Sequence, residues 1–137
     1  MAFKKAYLNW YNGTYKEMFI VQAWVNFMKA NESNPIHTHN DCDFTSVFYL
    51  NLPKNFKKER ENTITSGAKP GDINLLVNAQ ETPYYINMPK ITPAVGDFFI
   101  FPAALPHYVN GFKSKGERIS VSVNFKIKGE KNTCPHN

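Results

Sequence analysis

The sequence predicts an all-β protein of the sandwich or barrel type. Aromatic residues make up 15% of the chain, nine prolines and seven glycines punctuate it, and its apolar segments are short and closely spaced. No alternation of strands with helices indicates a parallel α/β sheet. With 137 residues and 42% apolar composition, the chain is long enough for one hydrophobic core, and we expect a single domain over residues 1–137.

Six segments predict strands because they are rich in β-branched or aromatic residues and end near Pro, Gly or Asn. They are residues 20–28, 45–52, 73–77, 84–88, 96–101 and 118–127. Residues 54–71 are rich in lysine and lack periodicity, which predicts a surface loop. A turn or two of helix is predicted within residues 7–18, and residues 129–137 are predicted to form a flexible tail.

The composition argues against several classes of partner. The formal charge is +5, but the cations are scattered, and only Arg60 and Arg118 are arginines. Nucleic-acid-binding faces use clustered charge and arginine, so we expect no nucleic-acid partner. No apolar run approaches the roughly 18 residues of a membrane span, and the N-terminal residues lack the apolar stretch of a signal peptide. We expect a cytoplasmic protein in which Cys42 and Cys134 are free thiols.

The first candidate metal-binding segment is the run Ile-His-Thr-His-Asn-Asp-Cys-Asp at residues 36–43. On an extended chain, His37, His39 and Asp41 point to one face. Residues two apart are separated by about 6.6 Å of strand rise, so their side chains can converge on one ion, whereas residues four apart require a bend. A ligating pair can therefore be His37 with His39 or His39 with Asp41.

The second candidate segment, residues 93–107, leads from a predicted Gly96-Asp97 turn through an aromatic strand to His107. Pro102 is predicted to end that strand, so that His107 lies in a loop or at a strand start at the edge of the barrel. Two histidines and one carboxylate on one side of an ion form the facial triad of non-haem Fe(II) oxygenases. The open positions opposite suit a bidentate cosubstrate and O₂.

The third candidate segment begins at Arg118. Strand alternation predicts that Arg118, Ser120, Ser122 and Asn124 share one face and that the apolar residues between them share the other. The polar face of a barrel strand is either exposed to solvent or part of a ligand pocket. Because a guanidinium binds a carboxylate with two hydrogen bonds, Arg118 is a candidate for carboxylate recognition.

Taken together, these motifs resemble the Fe(II) and 2-oxoglutarate-dependent oxygenase superfamily. The resemblance rests on Ala23-Trp24-Val25-Asn26, His39-x-Asp41, Pro93-x-x-Gly96-Asp97-x-x-x-Phe101-Pro102, His107 and Arg118-Ile-Ser-Val-Ser-Val-Asn124-Phe. It covers residues 20–126 and is greatest to a small branch, known from bacteria and marine phages, that is distantly similar to prolyl hydroxylases. The resemblance implies a double-stranded β-helix, or jelly roll, with little helix.

The resemblance also implies an activity. The enzyme would be a hydroxylase that uses O₂ and couples the decarboxylation of 2-oxoglutarate to succinate with hydroxylation of a C–H bond in a protein side chain or a small molecule. His39, Asp41 and His107 would hold Fe(II), and Arg118 would bind the distal carboxylate of 2-oxoglutarate. The branch also contains HxH motifs, in which His37 would be a ligand or a base.

Weaker expectations concern the surroundings of this site. The further candidates for contact with 2-oxoglutarate are Asn124, Ser120 and Tyr49. The candidates for an apolar shell are Phe98, Ile100, Val123 and Trp24.

Two other readings of the same residues are open. The first is a cupin-type metalloprotein, another jelly roll, with ligands His37, His39, Asp43 and His107 and with Pro102 and Asn110 in supporting places. It gives Arg118 and the polar face after it no role. The second is a non-catalytic jelly-roll binding module. The identity of the copurifying metal and the turnover of 2-oxoglutarate would distinguish the three functions.

Overall fold

The computed structural model describes residues 17–64, 67, 69–76 and 90–128. They form two four-stranded antiparallel sheets and one short helix. The elements are β1 (Glu17–Lys29), β2 (Asn34–His37), β3 (Phe44–Asn51), α1 (Phe56–Glu61), β4 (Ile73–Leu75), β5 (Lys90–Ile91), β6 (Phe98–Pro102), β7 (His107–Val109) and β8 (Glu117–Lys128). The strand order is β1-β8-β3-β6 in the first sheet and β2-β7-β4-β5 in the second. The chain crosses repeatedly between the two sheets, as in a double-stranded β-helix, which confirms the predicted fold class.

The three longest strands are β1, β3 and β8, and they correspond to the predicted strands at 20–28, 45–52 and 118–127. β3 and β8 alternate side chains between the two faces, and β8 lies between β1 and β3 in the first sheet. The strands β4 and β6 also fall within or beside their predicted segments. Glu17 and Met18, the last two residues of the range in which a helical turn is predicted, belong to β1. The predicted strand at 84–88, the rest of the predicted helix and the predicted tail lie outside the described residues.

The predicted surface loop at 54–71 contains α1, which the sequence analysis missed. Phe56 begins this helix and is buried, with its ring edge-to-face against that of Phe112 at a centroid distance of 5.8 Å. At Gly71, φ is +71° and an added Cβ would collide with the Phe56 ring, so glycine is required for this packing. Among the described residues, no helix has the length and apolar content needed to span a membrane.

The hydrophobic core lies between the two sheets. It consists of Met28, Val47, Tyr49, Phe56, Ile73, Leu75, Phe101, Val109 and Phe112. A second cluster is centred on Phe44 and Phe125, against which Ile100 and Val123 pack. The inner face of β8 is polar, because Arg118, Ser120, Ser122 and Asn124 are its buried residues. The core therefore occupies only part of the space between the sheets.

Candidate active site

Three histidines meet between the two sheets. His37 ends β2 and His107 begins β7, and these two residues are register partners in the second sheet. His39 follows in the loop from β2 to β3, where its backbone N–H donates to the carbonyl of Ala103 at 2.9 Å. One ring nitrogen of each histidine lies within 4.8 Å of those of the other two. The pairing of β2 with β7 thus brings the two histidine motifs of the sequence together.

The hydrogen bonds of two of these rings fix which nitrogen faces the cluster. The carbonyl of Pro35 lies 2.8 Å from Nδ1 of His37, and the carbonyl of Leu105 lies 2.9 Å from Nδ1 of His107. Because a carbonyl only accepts, Nδ1 is the donor in both rings, and Nε2 keeps its lone pair for the cluster, where Nε2 of His107 faces Nε2 of His39. Backbone carbonyls therefore orient both rings for metal binding through Nε2.

The spacing of the nitrogens suits a shared ion. Nε2 of His39 and Nε2 of His107 are 3.3 Å apart. Two nitrogens at about 2.1 Å from one ion and at right angles to each other lie about 3.0 Å apart. Only a small contraction would therefore give these two rings adjacent coordination positions.

Burial keeps two of the three rings, those of His39 and His107, neutral. The pKa of His107 falls to about 4, mainly because burial disfavours the charged ring; the hydrogen bond to Leu105 opposes this shift, and His37 and His39 reinforce it. The pKa of His39 is lowered by burial and by His37. Both rings are therefore neutral at pH 7, which is the state in which imidazole binds a metal.

Neither aspartate of the first motif joins this cluster. Among the described residues, the His, Cys, Asp and Glu side chains that can share an ion are those of the three histidines alone. Asp41 is exposed and has a φ of +58°, so the chain leaves the extended conformation that would place Asp41 on the same face as His39. Asp43 accepts a hydrogen bond from the backbone N–H of Ile127 at 2.8 Å. The structure thus assembles neither the set with Asp41 nor the cupin-type set with Asp43.

A cavity of about 610 Å³ connects the histidine cluster with Arg118. Its polar lining on β8 is Arg118, Ser120 and Ser122. The polar face of β8 that strand alternation predicts therefore lines the cavity from Arg118 to Ser122. Its apolar lining includes Trp24, Val47, Ile73, Phe101 and Val109.

Of the predicted apolar shell, only Trp24 lines this cavity. Phe98 is 56% exposed, and Ile100 and Val123 pack in the cluster around Phe44 and Phe125. The prediction of these three residues is wrong because alternation directs their side chains to the other face of the first sheet.

Arg118 is a buried cation whose contacts are neutral. It is 4% exposed, and its Nη2 donates to the Tyr49 hydroxyl at 3.0 Å. Its Nη1 lies 3.7 Å from the sulfur of Met28, and the guanidinium lies over the Tyr49 ring, 4.8 Å from the centroid. Nε has no hydrogen-bond partner, and none of the described carboxylates forms an ion pair with Arg118. Because a buried charge normally has a counter-charge, this arrangement indicates a site for an anionic ligand.

Residues 22–124 match the family model described as "Putative 2OG-Fe(II) oxygenase". The chain belongs to this family. The match confirms the resemblance found in the sequence, and the family implies Fe(II) and 2-oxoglutarate as cofactor and cosubstrate. A search of curated protein sequences gives no match.

Two solved structures have a fold similar to that of this chain. A 2OG-Fe(II) oxygenase family oxidoreductase from Burkholderia pseudomallei has a TM-score of 0.59 at 20% identity, over 83% of this chain and 47% of that protein. A Pseudomonas putida prolyl-4-hydroxylase has a TM-score of 0.56 at 14% identity, over 93% of this chain and 62% of that protein. The chain thus spans less than two thirds of the length of either protein.

The three residues that were weaker candidates for cosubstrate contact differ in their positions. Ser120 is buried and lines the cavity, and Tyr49 is buried beneath Arg118. Burial raises the pKa of the Tyr49 hydroxyl, an effect that the charge of Arg118 and its hydrogen bond partly offset. Asn124 is buried but is not part of the cavity lining, and its Oδ1 has no partner among the described residues.

Sequence analysis gave no role to several polar residues of the cavity wall, among them Asn26, Thr45 and Ser46. Asn26 accepts a hydrogen bond from the Trp24 indole N–H at 3.0 Å and donates to the Ser122 hydroxyl at 2.9 Å. These bonds hold the Trp24 ring beside His39, with 5.7 Å between the ring centroids. The available signal was an asparagine in a largely apolar strand, two residues after the tryptophan and therefore on the same face.

Proposed function

We propose that this oxygenase binds Fe(II) through His37, His39 and His107 and binds 2-oxoglutarate between the metal and Arg118. The observation that carries the proposal is that the cluster of three histidines and a buried arginine without a carboxylate partner among the described residues line the same cavity. When bound, the metal and 2-oxoglutarate would supply the oxidising chemistry with O₂ as the oxidant: one oxygen atom would enter succinate as 2-oxoglutarate loses CO₂, and the other would hydroxylate a C–H bond of a second substrate.

The histidine cluster fits a first-row transition metal. Imidazole is a good ligand for iron, and the Nε2 atom of His107 points at that of His39 in a hydrogen bond of 3.3 Å that a shared ion would replace. In the proposed ligand set, His37 replaces Asp41 of the set expected from the sequence. A cupin-type site is less well supported, because Asp43 is engaged by Ile127 and because that function leaves Arg118 without a role.

The other end of the cavity fits a dicarboxylate. Arg118 supplies a positive charge with an unused Nε, and the Ser120 hydroxyl lines the same wall. The Tyr49 hydroxyl lies beside the guanidinium of Arg118, from which it accepts a hydrogen bond. A cavity of about 610 Å³ is within the usual range for small-molecule sites. In this arrangement Arg118 neutralises and orients the distal carboxylate, and Trp24 forms the wall next to the metal ligand His39.

Metal binding tests the ligand set. We expect His37→Ala, His39→Ala and His107→Ala each to weaken Mn(II) or Fe(II) binding by roughly 100-fold or more, because each removes one of three protein donors. Asp41→Asn is the control and should leave affinity nearly unchanged. Anaerobic calorimetric titration with the metal would measure the affinities of the three variants and of the control. Retained affinity in His37→Ala together with loss in Asp41→Asn would replace the proposed set by His39, Asp41 and His107.

Binding of 2-oxoglutarate tests the role of Arg118. In the Mn(II)-loaded protein, Arg118→Ala should weaken 2-oxoglutarate binding by roughly 30-fold or more, because a charge-assisted pair in a partly buried site is lost. Arg118→Lys should recover only part of this loss, since an ammonium lacks the planar fork of the guanidinium. Metal affinity should barely change in either variant. Equal 2-oxoglutarate affinities in the wild type and both variants would remove the main support for the proposed function.

A further inference from the structure

The edge strand β1 differs from the other edge strands of the two sheets. Within the described residues, β2 has four residues and includes Pro35, β5 has two, and β6 has five and ends at Pro102. β1 has thirteen residues, and between Glu17 and Lys29 it contains no charged residue, proline or glycine. One side of β1 pairs with β8, and the other side has no strand partner among the described residues.

Such an edge is a template for a further strand. Alternate residues of an edge strand direct their N–H and C=O groups away from the sheet, and proteins usually protect long edges with charges, prolines or short length. The bulge between Ile20 and Gln22 is the single irregularity in the pairing of β1 with β8. Several apolar side chains of β1 are exposed, including Ile20 at 63%, Val25 at 46% and Phe27 at 62%. Backbone and side chains together therefore favour a partner strand.

We propose that β1 pairs antiparallel with β1 of a second copy of this chain. The two ends of β1 carry opposite charges, Glu17 at one end and Lys29 at the other, and Ala23 is its middle residue. Antiparallel pairing about Ala23 brings Glu17 of each copy beside Lys29 of the partner subunit. Parallel pairing would place like charges together, which is unfavourable across strands. The strand is thus self-complementary in charge.

This pairing joins the β1-β8-β3-β6 sheet of each copy to that of the other, which gives one eight-stranded sheet about a two-fold axis. It also affects the site, because Trp24, Asn26 and Met28 of β1 line the cavity and because Trp24 and Asn26 are only partly buried. The partner strand covers this side of the cavity. The inference rests on the strand geometry alone and is independent of the proposed metal and cosubstrate.

The oligomeric state of the full chain tests the proposal. Sedimentation velocity over a wide range of protein concentration should reveal a species with twice the mass of the chain. Val25→Lys should raise the dimer dissociation constant by roughly tenfold or more, because a lysine on an edge strand opposes pairing. The matched control is Leu50→Lys on the central strand β3, since Leu50 and Val25 are both 46% exposed. Circular dichroism would verify that both variants fold.

A charge exchange tests the antiparallel arrangement. Glu17→Lys should weaken the dimer because it places two lysines together at each end, and adding Lys29→Glu should restore it. Three results would overturn the proposal. They are a monomer at all concentrations, an equal weakening by Leu50→Lys and Val25→Lys, and a failure of the double exchange to restore the dimer.

Discussion

Arg60 and Arg118 are the two arginines of the chain, and their surroundings differ. Arg60 forms an ion pair with Asp72 at 2.6 Å, in which both side chains are largely buried, and donates to the Thr92 hydroxyl at 2.6 Å. Arg118 is also buried, but its contacts are the neutral groups of Tyr49 and Met28. A buried arginine with a carboxylate partner joins segments of the fold, whereas one without such a partner among the described residues is a candidate ligand site.

The largest expected difference between the two arginines is in folding stability. Arg60→Ala should lower the free energy of unfolding by about 3 kcal/mol, because it leaves the buried Asp72 carboxylate unpaired. Arg118→Ala should lower it by only about 1 to 2 kcal/mol, because it removes the hydrogen bond to the buried Tyr49 hydroxyl but leaves no described carboxylate without its partner. Urea denaturation of the metal-free proteins would measure both values. A larger loss of stability in Arg118→Ala than in Arg60→Ala would contradict the distinction.

His107 provides a second contrast with Arg118, because an imidazole ring can lose its charge when it is buried and a guanidinium cannot. His107 lies in the same cavity as Arg118, and burial lowers its pKa to about 4, from an ordinary value of about 6.5. Between these values the unfolded chain binds more protons than the folded chain, so stability is fully present above pH 6.5 and is lost as the pH falls towards 4. The loss from His107 should be about 2 to 3 kcal/mol.

Urea denaturation of the metal-free protein at several pH values would measure this loss. His107→Leu is the matched variant, because leucine fills much of the same space without titrating. It should flatten the profile between pH 6.5 and pH 4. A profile of the same slope in this variant would assign the pH dependence to other groups.

The sequence predicted the Arg118 region more completely than the histidine region. β8 is long, so its alternation identifies the face that Arg118 shares with Ser120 without knowledge of the fold. The histidine cluster depends on β2 and β7, which have four and three residues and are too short to show a period. It also depends on the left-handed backbone at Asp41, which turns that carboxylate away from the face that alternation predicts.

The length of each element also decided how much of the whole fold could be predicted from the sequence. The strands β1, β3 and β8 were predictable because each holds eight or more residues with strand-forming side chains. α1 was not, because its six residues are mostly charged and a single buried side chain, Phe56, fixes it to the core. Short elements of this kind are determined by tertiary contacts and not by local sequence.

The smallest expected effect concerns a single hydroxyl at each arginine. Tyr49 accepts a hydrogen bond from Arg118, and Thr92 accepts one from Arg60. Tyr49→Phe keeps the ring beneath the guanidinium and removes only the hydroxyl, and Thr92→Val makes the equivalent change. Tyr49→Phe should lower the free energy of unfolding by about 1 kcal/mol, the usual contribution of one hydrogen bond. Thr92→Val should lower it by about 1 to 2 kcal/mol, because the Thr92 hydroxyl also donates to the Asp72 carboxylate at 3.2 Å.

The two hydroxyl variants should differ in ligand binding. If Arg118 binds the cosubstrate, Tyr49→Phe should also weaken 2-oxoglutarate binding to the Mn(II)-loaded protein by roughly fivefold, because the guanidinium loses the contact that orients it. Thr92→Val should leave this affinity unchanged, since Arg60 is engaged with Asp72. Calorimetric titration of both variants alongside the wild type would measure the difference. If Thr92→Val weakened 2-oxoglutarate binding as much as Tyr49→Phe, the effect would reflect general loss of stability, and the contrast between the two arginines would not extend to ligand binding.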